Sequence, residues 1–311
     1  MPKLKFNADT PIYTTAPGNK DRAWRMEDAQ TALAAAYARG RPVVVFVHGR
    51  GKEPNKSFRG ATFAKGLAVW KLELGYDCSV VMFNWDSAFP GFFFLDRSRA
   101  LANTVEGGAR LGEFLRELVR FEASHPDMSK PVLLAHSMGS IVLQHTVASK
   151  AWPTEAPLFK QVVISEPDAD DVGHRDWVAA LGEHEKVFIT LNADDHVLKN
   201  STNARPDGAK PLGLGTEEAL ATNVNYVDLT SMGALNSTED DDHEVFGKGA
   251  MNGQVNVCAF FDQAILGKEV VLDSTNVISI ERGVVHKLQQ RFEEKSPCLR
   301  IPQLPNFKED D

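Results

Sequence analysis

Pro131-Val-Leu-Leu-Ala-His-Ser-Met-Gly-Ser140, continued by Ile141-Val-Leu-Gln144, decides how this chain is read. Val132 to His136 has the length and apolar character of a buried strand. From Met138 to Lys150 the pattern is that of a helix. The turn between them is Ala135-His-Ser-Met-Gly139. A turn this tight forces Ser137 into a strained backbone conformation, which requires small residues two positions to either side. Ala135 and Gly139 meet that need, with alanine at the first place where glycine is more usual. The serine hydroxyl then stands clear of the strand end, beside the Met138 N–H at the positive end of a helix. Small-Ser-small also occurs where a helix merely packs closely on a strand. The strand before and the helix after distinguish a nucleophile elbow from that arrangement.

Outward from the elbow the same alternation repeats. Pro42 to Val47, Cys78 to Trp85, Gln161 to Ser165, Lys186 to Leu191 and Val224 to Leu229 read as strands covered on both faces. Thr31 to Ala38, Ser57 to Leu74, Ser98 to Ala123, Arg175 to Leu181 and Val255 to Leu266 read as helices. Strand and helix in turn predict right-handed crossovers and an α/β fold, a mainly parallel central sheet with helices on both faces. One domain is expected over residues 1–267, with 1–40 as a lead-in that can hold short edge strands. Residues 268–311 are expected to form a partly irregular extension ending in a Pro-rich, acidic tail.

Composition narrows the function classes. The 311 residues suffice for one large α/β domain, and a net charge of −8 disfavours nucleic acid, which needs a basic face. No apolar run has the length of a membrane span, and the first ten residues lack the apolar core of a secretory signal. Cys78, Cys258 and Cys298 fit neither a disulfide framework nor a zinc site, so a reducing compartment, the cytoplasm, is expected. No histidine, cysteine or acidic cluster has ligand spacing, so no metal and no cofactor are expected.

Several motifs, in this order and spacing, resemble the α/β-hydrolase superfamily. They are Phe46-Val-His-Gly49, Phe83-Asn-Trp-Asp-Ser87, Asp96-Arg-Ser-Arg-Ala100, Ala135-His-Ser-Met-Gly139, Glu166-Pro-Asp-Ala-Asp170, Asn192-Ala-Asp-Asp-His196 and His243-Glu-Val-Phe246. More narrowly, the chain resembles a bacterial branch of esterase- or lipase-like serine hydrolases of largely uncharacterised function. The resemblance spans about Arg41 to Gly267. Glu166 and Asn192 depart from it, standing where smaller residues are expected.

That fold orders its triad as serine, acid, base along the chain. Ser137 is the expected nucleophile. After the strand Lys186 to Leu191 the resemblance implies Asp195 as the acid. Asp194 stays open as the alternative, and Asp168 or Asp170 is a more distant one. Past the last strand only His243 and His286 remain, and His243, in a long acidic loop, is the expected base. His196 follows the acid too closely to pair with it. The oxyanion donors are expected to be the Met138 and Arg50 N–H groups, with Gly51 as the alternative to Arg50. His48 is expected to brace that loop, and His48 and Gly49 to border the substrate. Phe89, Phe92 and Phe93, in an aromatic loop, suit an apolar acyl or alkyl pocket, or simply cover the sheet top. The function these residues imply is hydrolysis of a small-molecule carboxylic ester through an acyl-enzyme. Acyl transfer by the same residues, or a non-catalytic binding or scaffold role on the same fold, are the alternatives.

Overall fold

Largely apolar runs of strand length must be covered on both sides, and five such strands form the middle of the molecule. The computed structural model describes residues 12–14, 29–50, 72–73, 75–85, 87, 93–205, 207–230, 232, 243–248 and 254–291. The five strands are β2 (Val43–Val47), β3 (Ser79–Asn84), β4 (Val132–His136), β5 (Gln161–Ser165) and β6 (Val187–Leu191), buried at every residue. β1 (Ile12–Thr14) lies at one edge. On the other side stand β7 (Asn225–Asp228) and a hairpin of β8 (Val277–Glu281) and β9 (Val285–Leu288). Among the described residues these make a nine-stranded sheet of order β1-β3-β2-β4-β5-β6-β7-β9-β8. Every pairing is parallel except that between β8 and β9.

Alternate residues of each central strand feed two separate cores. Val43, Val45 and Val47 join one with Leu33 of α1 (Ala29–Tyr37), Phe114 of α2 (Phe93–Ser124), Val142 of α3 (Gly139–Ala148) and Val178 of α4 (His174–Gly182). Val44 and Phe46 join the other with Leu72, Tyr76 and, on α7 (Val255–Ile265), Phe260 and Phe261. Helices therefore cover both faces, and each fully buried aliphatic or aromatic side chain contributes roughly 1.5–3 kcal/mol of transfer free energy. α5 (His196–Asn203) and α6 (Val245–Lys248) are short and belong to the loops that carry the site.

The central strands and the helices around them begin and end where expected to within a residue or two, with one exception. α2 starts at Phe93 rather than Ser98, so the last residues assigned to an aromatic loop open a helix instead. The helix expected over Ser57 to Leu74 falls almost wholly outside the described residues. Within 1–40, Ile12–Thr14 pairs as an edge strand with β3. Within 268–311, β9 runs parallel to β7 and continues the main sheet, a contribution that the sequence reading did not anticipate.

The cysteine expectation is corrected. Cys78 is a free, buried thiol, but Cys258 is disulfide-bonded. The cysteines therefore no longer argue for a reducing compartment. Among the described residues no helix is long and apolar enough to cross a membrane.

Candidate active site

The chain leaves β2 towards β3 on one side and returns to β4 on the other. Such a reversal of strand order, at the carboxyl ends of the strands, is where parallel sheets hold their ligands. The loops that diverge there are His48-Gly49-Arg50 after β2 and Ser137 after β4.

Ser137 has φ +53°, in the left-handed region that an ordinary side chain avoids. Strain of this kind is on the order of 1–3 kcal/mol and persists only when the surroundings fix it. Here they do. The Ser137 N–H donates to the Ser165 carbonyl at 3.1 Å, and the Asp168 N–H donates to the Ser137 carbonyl at 3.2 Å. The Ser140 hydroxyl donates to the same carbonyl at 2.6 Å and accepts from the Ala169 N–H at 3.0 Å. The expected need for small neighbours is also visible. A Cβ on Gly139 would sit 2.4 Å from the Val47 carbonyl oxygen, so any side chain would push the elbow off β2.

The loop after β2 passes directly against the serine. A Cβ on Gly49 would lie 2.7 Å from Ser137 Cβ and 3.3 Å from its Oγ. His48 braces this loop, as expected. Its Nδ1 donates to the Gly49 carbonyl at 2.6 Å, its Nε2 lies 2.9 Å from Asn84 Oδ1, and its ring stacks on Trp85. Trp85 Nε1 in turn donates to the His48 carbonyl at 2.7 Å. Holding the Gly49 carbonyl fixes the plane of the Gly49–Arg50 peptide, and a trans peptide aims its N–H opposite to its C=O. Gly51 lies outside the described residues.

Asp195 and His243 meet. Asp195, fully buried, caps α5 by accepting the Leu198 N–H on Oδ1 at 2.9 Å, and accepts His243 Nδ1 on Oδ2 at 2.7 Å. Asp194 is exposed, as is His196 at the first position of α5. Burial by itself disfavours the His243 cation, but the Asp195 hydrogen bond and charge, with Glu166 and Glu244 nearby, lift its pKa above the ordinary histidine value. With Nδ1 donating to a carboxylate, the neutral ring keeps its lone pair on Nε2.

Three residues around this pair have partners that the sequence did not reveal. His136, the last residue of β4, donates from Nε2 to the His243 carbonyl at 2.8 Å. Glu166 is fully buried with φ +42°, its Oε2 accepting the Ser165 hydroxyl at 2.6 Å. Asp168, weighed as a remote alternative acid, is engaged elsewhere. Its Oδ1 accepts Ser201 Oγ at 2.6 Å and Arg205 at 2.9 Å, while Arg97 lies 3.5 Å from Oδ2. Asp170 is tied to Arg205. This buried ion network braces the loop whose Asp168 N–H holds the elbow. The Glu166-Pro-Asp-Ala-Asp170 motif was its visible trace, with the acids assigned no partner.

Of the other residues singled out, Phe89 and Phe92 lie outside the described residues and Phe93 opens α2. His174, the first residue of α4, is buried, its Nε2 3.0 Å from the Tyr226 hydroxyl. Among the described residues no group of histidine, cysteine and acidic side chains could hold a metal ion.

A family described as "Alpha/beta hydrolase of unknown function (DUF900)" matches residues 26–242, well over half of the chain and ending one residue before His243. No curated protein and no solved structure matches.

Proposed function

The chain belongs to the alpha/beta hydrolases of unknown function that match it over residues 26–242, and we propose that it cleaves a carboxylic ester by serine acyl-enzyme chemistry. The observation that carries this reading is the buried Asp195–His243 bond of 2.7 Å, taken with a serine held in a left-handed turn. His136, which directly precedes that serine, has its ring centroid 4.8 Å from that of His243.

Ser137 Oγ attacks the ester carbonyl while His243 Nε2 takes its proton. Asp195 keeps the proton on Nδ1 and stabilises the imidazolium. Negative charge developing on the carbonyl oxygen is met by the Met138 and Arg50 N–H groups, fixed in advance by the elbow and by the His48 brace. Collapse breaks the bond to the alcohol oxygen, which leaves with the proton from Nε2. Water then gives a proton to His243 and adds to the acyl carbon. The second collapse releases the acid and returns the proton to Ser137. The apolar character proposed for the substrate rests on the sequence around Phe89, Phe92 and Phe93.

The test is turnover of p-nitrophenyl esters of graded acyl length by the wild type and by Ser137→Ala. Turnover should fall by about 10⁴–10⁶-fold in the variant. Equal turnover in both would sink the proposal, and no turnover of any ester by folded wild type would favour a binding or scaffold role. An added alcohol that captures most of the acyl group would identify a transferase.

A further inference from the structure

The segment that carries His243 packs Val245 and Phe246 into the core, and its backbone is also held by hydrogen bonds. His243 is followed by a helix of only four residues. Hydrogen bonds made by residues 243–247 outside the His243 ring include the following. The His243 carbonyl accepts from His136 Nε2 at 2.8 Å, the Phe246 carbonyl accepts from the Tyr76 hydroxyl, and the Gly247 N–H donates to the Glu244 carbonyl at 2.8 Å. The last is internal to the turn. Of the bonds that reach outside the turn, the one to His136 holds residue 243 itself.

We propose that His136 is a positioning residue for His243: its Nε2–H holds the His243 carbonyl, so that base and nucleophile are referred to the same rigid end of β4. The kinetic consequence rests on the hydrolase reading above; the geometric claim does not.

Three observations support it. First, His136 and Ser137 are consecutive, and β4 is buried throughout and paired on both sides by β2 and β5. A single hydrogen bond therefore connects the base's backbone to the strand that sets the serine. Without it, placement of the base relative to Ser137 would depend on longer paths, such as those through Asp195, Tyr76 and the packing of Phe246. Second, the contact is more than one bond. The His136 ring packs at 4.8 Å on the His243 ring and edge-on at 5.1 Å on Phe246, gripping both ends of the turn. Third, His136 is suited to be a neutral brace. A carbonyl can only accept, so Nε2 carries the proton. Burial, with the neighbouring His243, holds the His136 pKa down to about 4, so it stays uncharged while His243 titrates. A second cation at this spacing would oppose the imidazolium. Beneath lies Glu166, with Oε2 3.9 Å from His136 Nε2 and its N–H donating to Thr190 Oγ1 at 2.9 Å. Its burial pushes its pKa up to about 8. The groups facing His243 are thus Asp195, Glu166, Glu244 and His136.

The test compares His136→Phe, which keeps a ring but has no donor, with His136→Gln, whose amide nitrogen reaches the position of Nε2. Two quantities are read on folded protein. One is the pH dependence of Ser137 labelling by a fluorophosphonate; the other is the downfield proton resonance of the His243 Nδ1–H against Asp195. We expect His136→Phe to label about 100-fold more slowly, since a base misplaced by about 1 Å costs that much. Its acid limb should move down towards the ordinary histidine value, and its downfield resonance should broaden or vanish. His136→Gln should recover labelling to within about tenfold of wild type and restore the resonance. Wild-type rate, limb and resonance in His136→Phe would overturn the proposal, as would a Gln variant no better than Phe. If the wild type itself is not labelled, the hydrolase reading fails, and the resonance alone decides the positioning claim. Should His136→Phe fail to fold, His136→Asn, too short to reach the carbonyl, takes its place with the same expected losses.

Discussion

At the scale of the residue, Asp195 divides its two oxygens between a helix cap and the His243 ring. Replacing it by asparagine leaves an acceptor for the cap but removes the charge and favours the wrong imidazole tautomer. Turnover should drop by about 10⁴-fold. The sign of the pH effect follows from the raised His243 pKa. The base must be neutral to accept the serine proton, so activity rises with pH through a limb above the ordinary histidine value. In Asp195→Asn that limb should move to lower pH; an unmoved limb in the kcat/KM profile would show that another group titrates. Glu166 offers a separate test on stability. Its pKa is raised from 4.5 to about 8 in the folded chain. Its contribution is therefore fully present below pH 4.5 and lost as pH rises towards 8. Thermal unfolding should show Glu166→Gln gaining on wild type across that window; a flat difference would contradict the assignment. The turn at Ser137 and the loops that carry Asp194, Asp195 and His243 were legible because strand, turn and loop order constrain where each can fall, while the choice of Asp195 over Asp194 came from the resemblance. Glu166 and His136 were not, since each acquires its partners only when distant segments are packed together.

At the scale of the element, the middle strands were legible for a simple reason. A strand covered on both faces is an unbroken apolar run, as in Val43-Val-Val-Phe-Val47, and nothing polar interrupts the signal. The strands of the hairpin, Val277-Ile-Ser-Ile-Glu281 and Val285-His-Lys-Leu288, are short, partly exposed and interrupted by polar residues. Such a pattern is hard to tell from a loop. Between helices, the close approach of α2 to α3 depends on a missing side chain. A Cβ on Gly108 would meet His145 Cβ at 2.6 Å, and Thr146 Oγ1 donates to the Gly108 carbonyl at 3.0 Å. Gly108→Ala should therefore cost about 1–3 kcal/mol by overpacking. Denaturant unfolding checks this, and an unchanged midpoint would mean that the helices can part without loss.

At the scale of the whole molecule, the sheet continues into residues that the sequence reading set apart. β9 pairs with β7, and Val277, Val285 and Leu288 are buried. A chain ending at residue 267 should lose cooperative unfolding or solubility, because β7 would become an open edge above an uncovered core. A truncated chain with the full-length melting temperature would show the hairpin to be dispensable. The acidic net charge of −8 suits a small-molecule substrate rather than a nucleic acid. The elbow, the braced loop and the Asp195–His243 pair all lie at one rim of this sheet, so the central claim is chemical. It is that Ser137 is a nucleophile driven by His243. The most direct measurement is the intact mass of the protein after incubation with a fluorophosphonate, with the modified residue mapped by peptide sequencing. One adduct on Ser137, formed by the wild type and greatly slowed in His243→Ala, is the predicted result. Folded wild type without an adduct, or an adduct elsewhere, would contradict the account.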